Sequence, residues 1–155
     1  MKLIRSLDRF SKSFADLIPE IALNITARVA VFMIFWPSAQ TKLGGSTVLG
    51  QKWQFWELSP STFMLFEYDY NLPIIPANIA AYAATWGEFF LSIFVLLGLL
   101  TRISALALLV MVLVIQVFVY PHLWASHLLW ASALLYLLKY GSGQFSADAL
   151  TGRHS

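Results

Sequence analysis

Four apolar runs, each long enough to cross a bilayer, constrain this chain more than any other feature. A hydrocarbon core is ~30 Å thick and a helix rises 1.5 Å per residue, so a span needs roughly 20 mostly apolar residues. Segments at about 21–39, 77–100, 103–120 and 122–140 meet that requirement, and Pro19, Pro37, Pro76, Pro121 and Gly141 punctuate most of their ends. A soluble helical bundle would need polar faces that these runs lack. The composition agrees: 59% of the 155 residues are hydrophobic and 12% charged, against ~25% charged in ordinary soluble domains. Thr101 and Arg102 alone separate the second run from the third, and Pro121 the third from the fourth, so these helices are expected to be antiparallel neighbours. The expected fold is all-α: an integral membrane four-helix bundle over 21–140, with an amphipathic interfacial helix over 1–20, a long aromatic outer loop over 40–76 and a tail over 141–155.

The basic residues set the orientation. One side of such a bundle carries Lys2, Arg5, Arg9, Lys12, Arg102, Lys139 and Arg153, the other only Lys42 and Lys52, and positive-inside bias then puts both termini in the cytoplasm. Asp8, Asp16 and Glu20 argue against a signal peptide in the first 20 residues, and Arg28 interrupts the apolar run that follows. Leu3, Leu7, Phe10, Phe14 and Leu17 recur at helical spacing opposite basic residues, the pattern of a helix lying on the inner leaflet. The outer loop carries Trp53, Phe55, Trp56, Phe63, Phe66, Tyr68 and Tyr70 among Glu57, Glu67 and Asp69, a mixture suited to the headgroup layer. It reads as a lid on the outer mouth that either folds as short interfacial helices or covers a site, with membrane anchoring alone as the alternative.

Polar groups inside the runs are the candidates for function. Glu88 lies 11 residues past Ala77 and Arg28 lies 11 before Ala39, both ~16 Å from the outer surface, so the two are expected to pair across consecutive helices. Ala80, Ala84, Glu88 and Ser92 recur every fourth residue, a small-residue stripe that lets a neighbouring helix approach. The pair has two readings, a structural register lock or part of a ligand site. Arg28, Glu88, Gln116 and His127, with Trp124 beside the histidine, are the candidate ligand-binding residues, suited to a quinone head group in an apolar cleft. Packing alone also accounts for His127, with Trp124 and Ala131 on its face. His122 and His127 cannot sandwich a haem from one helix, and no haem is expected. A metal set of His122, His127, Glu67 and Asp69 has no spacing motif behind it, so no metal is expected. The absence of cysteine excludes disulfides, thiolate metal sites and dithiol chemistry. A net charge of +2 with no basic stripe gives nucleic acid nothing to bind. No nucleophile-and-base set, phosphate loop or glycine fingerprint marks a self-contained catalytic site.

Arg28 in the first run, "AQTKL" at Ala39 to Leu43, Glu88, "GLLTR" at Gly98 to Arg102 and "GSGQFSADAL" at Gly141 to Leu150 occur in an order that resembles the DoxX family of small four-helix bacterial membrane proteins. The resemblance implies the bacterial inner membrane and a component of redox systems, in some members the small subunits of a thiosulfate:quinone oxidoreductase and in others a partner of oxidative-stress or metal-handling proteins. The expected function is a subunit or partner of a quinone-linked membrane oxidoreductase, acting with another protein subunit or as a homo-oligomer. Two alternatives from other classes are a membrane scaffold recruiting a soluble partner through its N-terminus and "FSADAL", and transport of a small solute or protons past Glu88 in an oligomer.

Overall fold

A computed structural model describes residues 2–152, with side chains from Ile4 onward. Arg153, counted above among the basic residues, lies outside them, as do the side chains of Lys2 and Leu3. The described chain is mostly helical. Helix α1 runs over Lys2–Ala15, α2 over Glu20–Lys42 and α3 over Pro60–Met64, prolonged by one π-helical turn at Leu65–Tyr70. Next come α4 over Ala77–Leu97, α5 over Thr101–Val119, α6 over Trp124–Tyr140 and the short α7 over Ala147–Leu150.

Helices α2, α4 and α5 are long and apolar enough to cross a membrane; α6 has 17 residues. Only 28–39% of the apolar windows in those three helices is buried within the chain. The rest of their surface, including Met33, Ile103, Val110 and Leu113, faces outward, as an apolar solvent requires. Helix α2 packs against α4 and α6, and α5 packs against the same two. Val31, Phe35, Val95, Leu108, Val112, Leu134 and Leu137 fill the space between them.

Two ends can be distinguished. At the terminal end, α4 stops at Gly98 and Leu100, both in the left-handed conformation at φ 68° and 48°. The segment 141–150 folds across this stop. Asp148 donates its backbone N–H to Gly98 O at 2.9 Å. Its carboxylate accepts from Leu100 N at 2.8 Å and from Thr101 N and Oγ1 at 3.1 and 3.2 Å, capping the first turn of α5. A side chain at position 98 would place its Cβ 2.5 Å from the Ser146 Cβ and 3.0 Å from the Arg28 guanidinium, so glycine is required by space as well as by φ.

At the loop end, residues 43–76 close over the bundle. Leu49 and Gly50, both at positive φ, turn a two-residue hairpin between β1 (Thr47–Val48) and β2 (Gln51–Lys52). The last carbonyls of α2 are satisfied by this loop: Ser59 N and Thr62 Oγ1 donate to Lys42 O at 3.0 and 2.8 Å, and Lys52 Nζ to Leu43 O at 2.5 Å. Trp36, Trp53, Phe55, Phe89 and Phe90 form one connected group of rings between loop and helices. Leu58 and Phe66 lie on Ala80 and Ala81, so the first turns of α4 are packed against the loop rather than level with the end of α2.

Candidate functional site

The ion pair inside the chain differs from the expected one. Glu88 bonds Lys42, Nζ to Oε2 at 2.8 Å, with both side chains buried. Arg28 lies at the terminal end and donates only to carbonyls: Nε to Val95 O at 3.0 Å, Nη1 to Phe145 O at 2.7 Å and to Ser142 O at 3.3 Å, and Nη2 to Leu96 O. The expectation of an Arg28–Glu88 pair is therefore corrected, for two reasons. The start of α4 projects past the end of α2 into the loop, so equal counts from Ala77 and Ala39 do not give equal depths. Helix α2 also continues through Lys42, whose side chain turns back one helical turn to Ser38 O and Oγ at 3.2 and 2.7 Å and brings its ammonium inside.

Local backbone geometry places Glu88. Residues Gly87–Leu91 form a π-helical stretch within α4, which widens the helix by a fraction of a residue and redirects the side chains after it. The fourfold stripe from Ala80 to Ser92 thus crosses a change of period. Ala80, Glu88 and Ser92 are nevertheless buried, and Gly87 lets Met111 of α5 approach.

A cavity of about 370 Å³ opens beside the pair. Its polar wall is Ser38, Lys42, Glu88, Tyr70, Tyr120 and His127; the rest is apolar, with Phe35, Ala84 and Met111 among it. Phe66, Tyr70, Leu72 and Ile75 of the loop complete it from above. The Tyr70 and Tyr120 hydroxyls stand 3.5 Å apart at this side. Burial first, and then the Tyr120 hydroxyl, push the Tyr70 phenol above its ordinary range, so it stays a neutral donor and acceptor.

His127 is buried against Gln116, Nδ1 to Oε1 at 2.6 Å, and its ring lies 4.9 Å from that of Trp130, tilted by 59°. Gln116 donates its amide Nε2 to Pro121 O at 2.9 Å, which orients Oε1 toward the imidazole. The other ring nitrogen of His127, Nε2, is buried without a partner. Of the residues singled out from sequence, Glu88, Gln116 and His127 therefore gather at the cavity or directly behind its wall. Arg28 belongs to the opposite end, and Trp124 is 58% exposed at the start of α6, away from the cavity wall. His122, Glu67 and Asp69 do not assemble around His127: the described residues hold no group of three His, Asp or Glu able to grip a metal.

Lys42, Ser38, Tyr70 and Tyr120 were missed as site residues. Ser38 and Lys42 stand at i and i+4 in "SAQTK", a spacing that puts both on one face, and this was the available signal. The tyrosines come from the loop and from the end of α5, and no local spacing joins them.

The DoxX family profile matches residues 23–121, nearly two-thirds of the chain, including α2, the loop, α4 and α5. No curated protein and no solved structure matches. The ordered motifs and this match together establish that the chain belongs to the DoxX family.

Proposed function

We propose that this chain is a membrane component of a quinone-linked redox system, and that the cavity beside Lys42 and Glu88 receives the quinone head group. In this reading α2, α4, α5 and α6 span the bacterial inner membrane as a four-helix bundle with both termini in the cytoplasm, and a partner protein delivers the electrons. One observation carries the proposal: a cavity of about 370 Å³, apolar over most of its wall, on which a buried ion pair and two tyrosines converge. Ligand sites usually show this combination of apolar bulk with a few fixed polar groups, at volumes of ~300–1,000 Å³. The donor set also fits the group. Lys42 holds the Glu88 carboxylate in place, and Tyr70 and Tyr120 offer hydroxyls. When bound, a quinone supplies two-electron, two-proton redox chemistry that the cysteine-free chain lacks. The residues here hold and orient the ring, and the aromatic loop shields it from water.

The test is to purify the protein from its own membrane in mild detergent and extract it for quinones by mass spectrometry, beside an Ala84→Phe variant that fills the cavity and leaves every polar group in place. Near-stoichiometric quinone is expected in the parent and little in the variant, with thermal midpoints that agree. A parent without quinone, or a variant that retains as much, would overturn the assignment.

A further inference from the structure

The helices around the cavity give it a direction. From the tight stop at Gly98 and Leu100, α4 and α5 lie side by side as far as Gly87, where the missing side chain lets the tip of Met111 rest against α4. Beyond Gly87, toward the loop, the two helices part. The first turns of α4 pack instead on the π-helical turn Leu65–Tyr70, through Phe66 on Ala80 and Ala81. The end of α5 meets the same turn, where the Tyr70 ring stands edge-on to that of Tyr120. This turn of the loop is a wedge between the two helices, and the cavity lies beneath it.

The wall is not covered equally on all sides. Phe35 of α2, Glu88 of α4 and His127 of α6 are buried. Ala83 of α4 and Val110 of α5 line the cavity and are also exposed on the outside of the chain. Tyr120 and Leu123 are exposed too, but they stand at the loop end, beside the wedge. Ala83 and Val110 lie within helices long and apolar enough to cross a membrane, so the gap they flank faces hydrocarbon rather than water. Polarity therefore falls along one line, from the buried ion pair to the lipid. A molecule that matches it has a polar ring at one end and an apolar chain at the other.

We propose that the site is entered sideways from the lipid, between α4 and α5, and that it takes a ring carrying a long hydrocarbon tail, with the ring beside Lys42 and Glu88 and the tail leaving between Ala83 and Val110. The proposal rests on the quinone reading given above and adds the class of quinone and its route. Ala83 and Val110 are specificity-determining residues: they flank the tail and touch no reacting group. A tail-free ring loses the apolar contacts of the gap, and one arriving from water meets the loop first.

The experiment places the full chain in lipid nanodiscs with two decyl-tailed benzoquinones, one bearing an azide on the ring and the other a diazirine at the far end of the tail. Each is photolysed with and without excess unlabelled decyl quinone, and only competed labelling is counted. The tail label is expected at 79–83 of α4 and 106–110 of α5. In detergent, Ala83→Trp with Val110→Trp should weaken binding of the decyl quinone by about tenfold and of the tail-free ring by less than about twofold. Competed tail labelling on Leu65–Tyr70 or at 119–123, or a variant that binds the decyl quinone as tightly as the parent, would overturn this inference. The quinone site would still stand if the ring azide labels the cavity. Absence of competition for both probes would overturn the site and the inference with it.

Discussion

At Lys42 a flexible side chain converts the end of a helix into part of the interior. Its backbone sits where α2 stops, at the level of the loop, yet its ammonium reaches back past Ser38 to Glu88. Removing one member of such a pair strands a charge, whereas removing both can be nearly neutral. Lys42→Met or Glu88→Leu alone should therefore destabilise the fold by about 3 kcal/mol, and the double variant should recover most of that loss, read from unfolding midpoints in detergent. Glu88 was legible in the sequence as a carboxylate that must face protein. Its partner was not, because depth counted along two helices assumes that they begin level and ignores the ~6 Å that a lysine side chain spans. Two glycines make a second contrast. A methyl at Gly98 would meet Ser146 and Arg28 at a φ of 68°, while one at Gly87 presses only on the far end of the Met111 side chain and touches Leu91 at ordinary contact distance. Gly98→Ala should lower the midpoint by an amount equivalent to about 2 kcal/mol or more, and Gly87→Ala by less than about 1 kcal/mol, in the same unfolding assay.

Among the elements, the apolar runs were read correctly as helices because nothing in them competes with that choice, and their ends shifted by only a few residues. The folded loop and tail were less legible, since their structure depends on contacts distant in sequence. "GLLTR" and "GSGQFSADAL" are recognisable as motifs, but only the fold shows how they are joined: Arg28 ties the Val95 and Leu96 carbonyls, just before the first, to those of Ser142 and Phe145 in the second, and Asp148 of the second caps α5 at Leu100 and Thr101 of the first. Asp148→Ala should accelerate hydrogen exchange at the amides of Leu100 and Thr101 by roughly tenfold or more while leaving amides in the middle of α5 unchanged. Helix α1 shows the opposite case, an element legible from periodicity alone. Its row of Ile4, Leu7, Phe10 and Phe14 is exposed, with Arg5, Arg9 and Lys12 on the other face. In lipid vesicles a spin label at Phe14 should be relaxed by dissolved oxygen, and one at Arg9 by an aqueous nickel chelate; equal exposure of both to the chelate would show that α1 leaves the bilayer surface.

For the molecule as a whole, the two ends divide the work. The terminal end is a mesh of backbone carbonyls around Arg28, and the loop end holds the cavity, the ion pair and the aromatic cover. Because the chain has no cysteine, Leu49→Cys and Leu150→Cys introduce single labels at opposite ends, both at strongly exposed positions. An impermeant maleimide should reach the first only from the periplasmic side and the second only from the cytoplasmic side of oriented vesicles. The central claim, that the cavity between the loop and Glu88 is a quinone site, is tested most directly by photo-crosslinking with an azido-quinone and mapping the modified peptides. The account predicts labelling confined to the segments that line the cavity, 34–42, 66–88 and 107–130, and suppressed by Ala84→Phe. Labelling spread over the outward faces of α4 and α5, or undiminished in that variant, would contradict it.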